Sequence, residues 1–173
     1  MTSIKVTKKQ DTYYSNSLVW FWNGPFSNWY PAKFKDSDGV EYNCTEQYFM
    51  AKKALLFNDI QCYNKIMASD SPKHQKQYGR QVEGFDEKKW DTVSYKIMVE
   101  ANKLKFKQNP YLTKFILDTG NRQIAEASPY DKIWGILLDA EDPDVLDPNK
   151  WMGENRLGKA LVEVRDWLMA TKK

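Results

Sequence analysis

The chain has 173 residues, of which 42% are apolar, 28% are charged and 14% are aromatic. This composition is typical of a globular domain that buries a core without disulfide or metal support, and it excludes a disordered chain. The formal net charge is +3, and basic and acidic residues are interleaved, so a polyanionic ligand is permitted but not required. Two cysteines and one histidine without metal-type spacing predict a reduced compartment and no metal site.

The N-terminal region carries no apolar stretch of signal-peptide length, and no later segment approaches the ~18 consecutive apolar residues of a membrane span. We therefore expect a cytoplasmic protein with no membrane partner. Residues 1–17 are polar and lack periodicity, which predicts a loosely held N-terminal arm. The domain proper is expected to span residues 18–173, without an internal repeat or a linker.

Short strands are predicted at 18–21 and 32–35, separated by a turn-rich segment. Helical patterns dominate after Asn43. Ser71 followed by Pro72 is typical of a helix start, and Gly79 is a natural stop for that helix.

Two longer helices are predicted from their apolar spacing. Between 86 and 109 the apolar residues at three- and four-residue steps are Trp90, Val93, Ile97, Ala101 and Leu104. The last helix begins at about Asn155 and places on one face Leu157, Leu161, Val164 and Leu168. The expected fold is a mainly α, single compact multihelical domain with a few short N-terminal and central strands.

Glu46 and Lys53 are the first candidate functional pair. They are seven residues apart, so on a helix they lie on one face two turns apart, with Met50 between them. A carboxylate and an amine would then share one pocket. The alternative for Glu46 is a capping interaction with Asn43, and the alternative for Lys53 is a solvated helix lysine.

A second candidate group is Asp131 with Trp134 and Gly135. A Trp followed by Gly suits a place where a planar group packs close to the backbone, because glycine lacks a Cβ. The alternative is that Trp134 belongs to the core, as most tryptophans do.

Two further segments are candidates for ligand binding. Gly153 and Asn155 precede the last helix, whose N-terminal amides attract phosphate, although a capped and closely packed helix explains them equally well. Ser27 and Asn28 lie in a loop between aromatic residues that is able to present them to a ligand, and turn chemistry is the alternative there.

Five ordered motifs resemble the NADAR family of YbiA-like N-glycosidases. They are FWNGPFSNWYPAKF, DGVEYNCTEQYFMAKKA, SPKHQKQYGRQV with Trp90 following, TGNRQIAEASPYDKIWG, and WMGENRLGKALVEVR. Together they cover residues 19–168. The resemblance implies a mainly helical fold and hydrolysis of an N-glycosidic bond without a metal or redox cofactor.

The family's functional residues fall on matching positions of this sequence. Its glutamate falls on Glu46, its helix lysine on Lys53, and its aspartate and tryptophan on Asp131 and Trp134. The two other family motif positions are occupied by Trp90 and Asn155. The sequence departs from many relatives at position 47, where Gln replaces His, so we build no mechanism on that position.

The resemblance implies an ADP-ribosylated guanine as the leading substrate, either free or within nucleic acid. A small ribosylated nucleotide, a ribosylamino-pyrimidine phosphate of the riboflavin pathway, is the alternative substrate. A non-catalytic ADP-ribose or NAD binding module is the alternative from another class, although such a module needs neither Glu46 nor Lys53.

Two mechanisms fit the candidate residues. In one, Glu46 and Asp131 act as a glycosidase carboxyl pair. In the other, Lys53 adds to C1′ of a ring-opened ribose and forms a Schiff base, while Glu46 transfers protons. We favour the second, with the pKa of Lys53 lowered by enclosure among aromatics such as Tyr48, Phe49 and Trp134.

Overall fold

The computed structural model describes residues 3–172 of the chain. Its strands are β1 Thr7–Lys9, β2 Thr12–Tyr14, β3 Leu18–Phe21, β4 Phe34–Lys35, β5 Glu41–Tyr42 and β6 Gln123–Glu126. Its helices are α1 Thr45–Leu56, α2 Ile60–Met67, α3 Pro72–Arg80, α4 Glu87–Gln108, α5 Pro110–Leu117 and α6 Arg156–Thr171, and short 3-10 turns span Pro143–Leu146 and Pro148–Lys150. The predicted fold class, mainly α with a few short strands, is confirmed.

The described residues fall into two compact units. One contains the residues up to Ser27 together with those from Tyr111 onward, and the other is Asn28–Pro110. Across residues 3–172, no helix combines the length and the apolar character needed to cross a membrane.

The first unit contains a four-stranded sheet with the order β1-β2-β3-β6. The predicted strand Leu18–Phe21 is confirmed as β3, which is buried along its whole length and runs parallel to β6. Because these two strands are parallel, their C-terminal ends meet at one edge of the sheet, where both following loops emerge. The apolar cluster against this sheet comprises Leu18, Trp20, Ala125, Ala127, Ile136, Leu138 and Val145.

The predicted N-terminal arm contains a β-hairpin that the sequence did not indicate. β1 and β2 pair antiparallel, and β2 pairs with β3, so residues 7–14 extend the sheet. The turn is made by Gln10 and Asp11, both with positive φ (49° and 59°). Tyr13 stacks on Trp20 with ring centroids 5.4 Å apart, and this contact helps to hold the hairpin on the sheet.

Helix α6 packs against β6 through the face that its apolar spacing predicts. Its buried residues include all four that were predicted, Leu157, Leu161, Val164 and Leu168. A Cβ at Gly158 would clash with the carbonyl of Ile124 and with the side chain of Asn155. The glycine therefore allows the first turn of α6 to lie directly against the strand.

The second unit is organised around α1, which packs against α2, α3 and α4. Met50 of α1 lies against Gly79 of α3, where a Cβ would clash with its side chain, so this glycine sets the close approach of the two helices. Ser71 caps α3 as predicted, since its hydroxyl accepts from the amide of His74 at 3.3 Å. The second predicted strand is observed only at Phe34–Lys35, paired with Glu41–Tyr42.

The buried face of α4 differs from the predicted one. Trp90 and Ala101 are buried as expected, whereas Val93, Ile97 and Leu104 are only half-buried. Their places in the core are taken by the residues one position further along, Ser94, Met98 and Lys105, together with Asn102. The apolar spacing did not predict burial of Ser94, Asn102 and Lys105, so the pattern of α4 predicted the helix but not its orientation.

Candidate active site

Glu46 and Lys53 lie on α1 as the spacing predicts. Glu46 is the second residue of the helix and is buried, with 6% of its surface exposed. Lys53 is half-buried two turns later. The two groups interact electrostatically, because Glu46 is among the charges that act on the Lys53 amine.

The pKa of Lys53 lies below its ordinary value of 10.5, and burial of the amine is the main cause. Glu46 opposes this shift, whereas the positive charge of Arg80 adds to it. The Lys53 Nζ lies 4.5 Å from the centre of the Phe85 ring. A lysine in this setting gives up its proton more readily than a solvated one.

Phe85 is an aromatic neighbour of Lys53 that the sequence did not indicate. Of the aromatic residues expected there, Tyr48 has its ring 5.1 Å from Nζ of the adjacent Lys52. Phe85 precedes α4 and is 45% exposed, and no periodic pattern pointed to it. The lowered pKa of Lys53 thus agrees with the prediction and has the expected cause, burial of the amine, with Phe85 as an additional aromatic neighbour.

Asn43 is not the N-cap of α1, as the capping alternative for Glu46 expected. The N-cap of α1 is Cys44, which makes no side-chain capping bond. The amide of Asn43 donates to Oε1 of Gln47 at 2.7 Å, and the amide of Glu46 donates to the carbonyl of Asn28 at 3.0 Å. Gln47, one residue after Glu46, reaches back to the preceding turn.

Gln47 also ties α1 to the end of α2. Its Nε2 donates to the carbonyl of Ile66 at 3.1 Å, and its side chain is almost completely buried. Gln75 of α3 continues this network by donating to Oδ1 of Asn43 and to the carbonyl of Ser69. These bonds fix the start of α1, and hence the position of Glu46, relative to two neighbouring helices.

Asn28 and Trp90 meet α1 in different ways. The carbonyl of Asn28 is bonded to the first turn of α1, at Glu46. Trp90 of α4 is buried, and its ring lies 4.9 Å from that of Phe49 on α1. Contact of either residue with a substrate stays a prediction.

Lys105 is a buried lysine that the sequence analysis missed. It is fully buried on α4, and burial lowers its pKa from 10.5 to about 7. Its Nζ lies 5.0 Å from the Phe106 ring and 5.8 Å from the Tyr30 ring. The Cys44 thiol, whose own pKa burial raises to about 11, also acts on Lys105. No signal in the sequence indicated its burial, because lysine normally lies in solvent.

In the first unit, Asp131 shapes the loop that follows β6. Its Oδ1 accepts from the amides of Ile133 at 2.9 Å and Trp134 at 2.8 Å. Ser128 Oγ accepts from the amides of Tyr130 and Asp131. The Asp131 carboxylate therefore holds the backbone of Trp134 in position.

Trp134 is half-buried, and the guanidinium of Arg156 lies 4.8 Å from the centre of its ring. This stacked cation was not indicated by the sequence analysis. A planar aromatic ring with a cation on one face is a suitable surface for another planar group.

The two candidate glycines lie against the chain's own backbone. A Cβ at Gly135 would lie 3.0 Å from the carbonyl oxygens of Asp131 and Glu126. A Cβ at Gly153 would clash with the carbonyl of Gly135. Close packing of the chain accounts for both, and approach of a ligand to them stays a prediction. Ser27 lies in the same unit, and its amide donates to the carbonyl of Gly24 at 2.9 Å.

Asn155 is the N-cap residue of α6, but its side chain does not cap the helix. Its Oδ1 accepts from the amide of Glu126 and its Nδ2 donates to the carbonyl of Ile124, so it ties the helix to β6. The amides of Arg156 and Leu157 donate to the carbonyls of the loop at Ile133 and Trp134. These two amides are therefore already hydrogen-bonded within the chain, and they do not form the phosphate site that was expected at the start of this helix.

The structure brings the candidates together within each unit. Glu46 and Lys53 share one helix face, with Asn28 bonded beside them. In the other unit, hydrogen bonds link the Asp131 loop, Gly135 and Asn155 into one assembly at the ends of β6 and α6. Among residues 3–172, no group of three or more His, Cys, Asp or Glu side chains is arranged to hold a metal ion.

The chain is similar to a known domain family and to several known proteins. Residues 18–169 match the NADAR domain family. The chain is 46% identical to N-glycosidase R617 of Acanthamoeba polyphaga mimivirus, over 82% of this chain and 85% of that protein. It is 27% identical to the chloroplastic riboflavin biosynthesis protein PYRR of Zea mays, over 91% of this chain but only 26% of that longer protein.

N-glycosidase YbiA of Escherichia coli is similar in both sequence and structure. Its sequence is 31% identical over 94% of this chain and 92% of that protein. Its NMR structure superposes with a TM-score of 0.73 and covers 95% of this chain and 89% of that chain, at 28% identity. The chain therefore belongs to the NADAR family, and it is a hydrolase of the N-glycosidase class.

Proposed function

We propose that this protein hydrolyses the bond between ribose C1′ and the amino nitrogen of ADP-ribosylated guanine, and so removes ADP-ribose from the base. The observation that carries the proposal is the pair formed by Glu46 and Lys53 on α1. A buried carboxylate beside an amine with a lowered pKa supplies a proton carrier and a nucleophile in one place.

The favoured mechanism passes through Lys53. An N-glycoside of an exocyclic amine opens its sugar ring to an imine, whose C1′ is electrophilic. The neutral amine of Lys53 adds to C1′, Glu46 protonates the guanine nitrogen, and the C1′–N bond breaks. Water then adds to the lysine Schiff base and releases ADP-ribose as an aldehyde, which closes to the ring form. The net reaction consumes one water molecule and leaves Lys53 unchanged.

Trp134 supports the recognition part of the proposal. Its ring is half-buried and has the Arg156 guanidinium on one face. Such a ring is suited to stack on the base or to form one wall of a ribosyl site. Asp131 holds the backbone that carries this ring, because its carboxylate accepts from the Trp134 amide. In the alternative mechanism Asp131 would instead join Glu46 as the second carboxyl group of a glycosidase pair.

A second substrate is favoured by one comparison. The similarity to the riboflavin biosynthesis protein PYRR supports a ribosylamino-pyrimidine phosphate as the substrate of this chain. That compound also joins a ribose C1′ to an amino nitrogen, so the same Lys53 chemistry applies to it.

Product identification separates the two substrates. The protein is incubated with an oligonucleotide carrying ADP-ribosylated guanine, with the ribosylamino-pyrimidine phosphate and with NAD, and the products are identified by mass spectrometry. The proposal expects free ADP-ribose and unmodified guanine from the first substrate. Turnover of the pyrimidine compound alone would transfer the assignment to the second substrate.

A matched pair of lysines tests the proposed role of α1. Lys52 adjoins Lys53 on the same helix but pairs with Asp36 at 3.9 Å. Lys52→Ala is expected to retain turnover, whereas Lys53→Ala is expected to lose it. Equal activity of the two variants would remove Lys53 from the mechanism.

A further inference from the structure

Phe85 is an exposed aromatic residue that lies directly beside the proposed nucleophile. The Nζ of Lys53 is 4.5 Å from the centre of its ring, and 45% of the surface of Phe85 is exposed. Single exposed apolar residues are common on protein surfaces, and what distinguishes this one is its contact with the amine of Lys53. A substrate that reaches Lys53 therefore meets an aromatic ring that is open to solvent.

The position of Phe85 is fixed by its neighbours. Its ring meets the ring of Phe57 edge to face, with centroids 5.4 Å apart and an interplanar angle of 69°. The loop that carries it is anchored on both sides of Phe85. The amide of Glu83 donates to Oδ2 of Asp59 at 2.9 Å, and Asp86 is the side-chain N-cap of α4. A ring on an anchored loop loses little conformational freedom when it binds a ligand.

The proposed chemistry determines which part of the substrate lies near this ring. When the amine of Lys53 adds to C1′, the amino nitrogen of the base is still bonded to the same carbon atom. The base is therefore attached to the carbon next to Nζ, and the Phe85 ring centre lies 4.5 Å from Nζ. Aromatic rings pack with their centres about 4.5 to 7 Å apart, so the base is within reach of Phe85.

The chemistry of the side chain favours the base over the sugar. The ring of Phe85 has no hydrogen-bond donor or acceptor, whereas the hydroxyls of a ribose need such partners. A base is planar, and it stacks on an aromatic ring whatever its identity because every base has a π-face. The guanine and the pyrimidine of the two candidate substrates both provide this face.

We propose that Phe85 binds the base that leaves, and that it is a specificity-determining residue for ribosyl groups joined to a planar base. This inference rests on the proposed function, which makes Lys53 the nucleophile at C1′. The contact exists until the C1′–N bond breaks, and it is absent from the ribosyl Schiff base that remains on Lys53. Phe85 thus acts on the first half of the reaction and not on the second.

Three substitutions at Phe85 separate stacking from apolar contact. Phe85→Ala removes the ring, so kcat/KM is expected to fall about 5- to 150-fold, the loss typical of one stacked base. Phe85→Leu keeps an apolar side chain without a planar face, and a fall of about 2- to 12-fold is expected. Phe85→Tyr keeps the ring and should retain kcat/KM close to that of wild type.

Tyr111→Leu is the matched control. Tyr111 is also exposed, with 54% of its surface accessible, and its ring centre lies 6.3 Å from that of Phe115 in the first unit. The loss of this ring should leave kcat/KM unchanged. A general effect of removing an exposed aromatic ring would instead lower the activity of both leucine variants.

The decisive experiment uses free ADP-ribose, which lacks the base. Its aldehyde form condenses with the amine of Lys53 and releases water, which is the reverse of the proposed hydrolysis of the Schiff base. Borohydride reduces the imine, and peptide mass mapping gives the rate at which Lys53 is modified, with Lys53→Arg as the background. Phe85→Leu should be modified at the wild-type rate, because leucine keeps the amine covered by apolar atoms. The same variant should be impaired on ADP-ribosylated guanine.

The outcomes separate the inference from the proposed function. The inference is overturned if modification by ADP-ribose falls as much as turnover, because Phe85 would then act on Lys53 and not on the base. Normal turnover by Phe85→Ala would also overturn it. If wild type hydrolyses only the ribosylamino-pyrimidine phosphate, the comparison is made with that compound and ribose 5-phosphate, and only the proposed substrate changes. Turnover of neither substrate, or turnover by wild type without any adduct on Lys53, would overturn the inference together with the function or mechanism on which it rests.

Discussion

The two units bury polar side chains in different ways. In the sheet unit, Asn155 and Arg165 bond to backbone carbonyls, and Arg165 also bonds to Thr119, so these residues close loops and join elements. In the helical unit, the region around the start of α1 buries two ionisable groups, Glu46 and Lys105, and the hydroxyl of Thr45. Burial of ionisable groups costs free energy of folding and is concentrated at functional sites. The sheet unit also buries an ionisable group, Arg165, but hydrogen bonds tie it to Thr119 and to the carbonyl of Arg122. We propose that the carboxylate and the amine buried around the start of α1 serve chemistry, and that the sheet unit serves support and recognition.

Replacement of Glu46 should have the largest effect and tests the chemical side of this comparison. Glu46→Gln keeps the shape of the side chain but cannot transfer a proton, so turnover is expected to fall by about 10²- to 10⁴-fold. The melting temperature should stay close to that of wild type, because the neutral amide keeps the size and shape of the side chain, and Gln47 still accepts from the amide of Asn43 at the start of the helix. A variant that unfolds, or one that keeps near-normal turnover, would assign Glu46 to structure.

Trp134 tests whether the sheet unit contributes recognition. Trp134→Ala is expected to weaken substrate binding by about 1 to 3 kcal/mol, as for loss of a stacking surface, with a smaller effect on stability. Substrate affinity and melting temperature are measured on the same samples. If the loss of stability accounts fully for the loss of binding, Trp134 is a core residue, and the sheet unit provides support without recognition.

Lys105 tests the cost of burying an ionisable group in the helical unit. Its pKa is lowered to about 7 in the folded protein, so between pH 7 and its ordinary value of 10.5 the unfolded chain binds more protons. Stability should therefore rise with pH from about 7. The buried Cys44, with its pKa raised to about 11, acts in the opposite direction above pH 9, which limits the clear window to pH 7–9.

The measurement is urea unfolding from pH 6 to 9 of wild type, Lys105→Met and the control Lys96→Met. Lys96 is exposed on the same helix. The free energy of unfolding of wild type should rise with pH relative to that of Lys105→Met, whereas the Lys96 variant should follow wild type. Parallel curves for all three proteins would mean that Lys105 stays charged when buried.

The sequence predicted best where local pattern and burial agree. The buried face of α6, the strand at β3 and the cap at Ser71 follow from apolar spacing and capping chemistry. Glu46 and Lys53 were predicted to share a face because the helical repeat alone determines it. Their catalytic roles came from the family resemblance.

Features that depend on distant pairing could not be predicted. The hairpin at 7–14 turns through Gln10 and Asp11 at positive φ, without the glycine that normally signals such a turn. The parallel partner of β3 lies about a hundred residues later, in β6. On α4, the tertiary packing selects Ser94, Asn102 and Lys105 for burial, against the preference of each residue for solvent. Such conflicts between local preference and fold are expected where function outweighs stability.

The central claim, that Lys53 is the nucleophile, is tested most directly by borohydride trapping. Borohydride reduces a Schiff base to a stable amine, and peptide mass mapping of protein incubated with ADP-ribosylated guanine locates the adduct. We expect a ribosyl adduct on Lys53 that is absent from Lys53→Arg, which keeps the charge but forms no imine and should be inactive. Normal turnover by Lys53→Arg, with no adduct trapped on wild type, would contradict the account and favour a mechanism through Glu46 and Asp131.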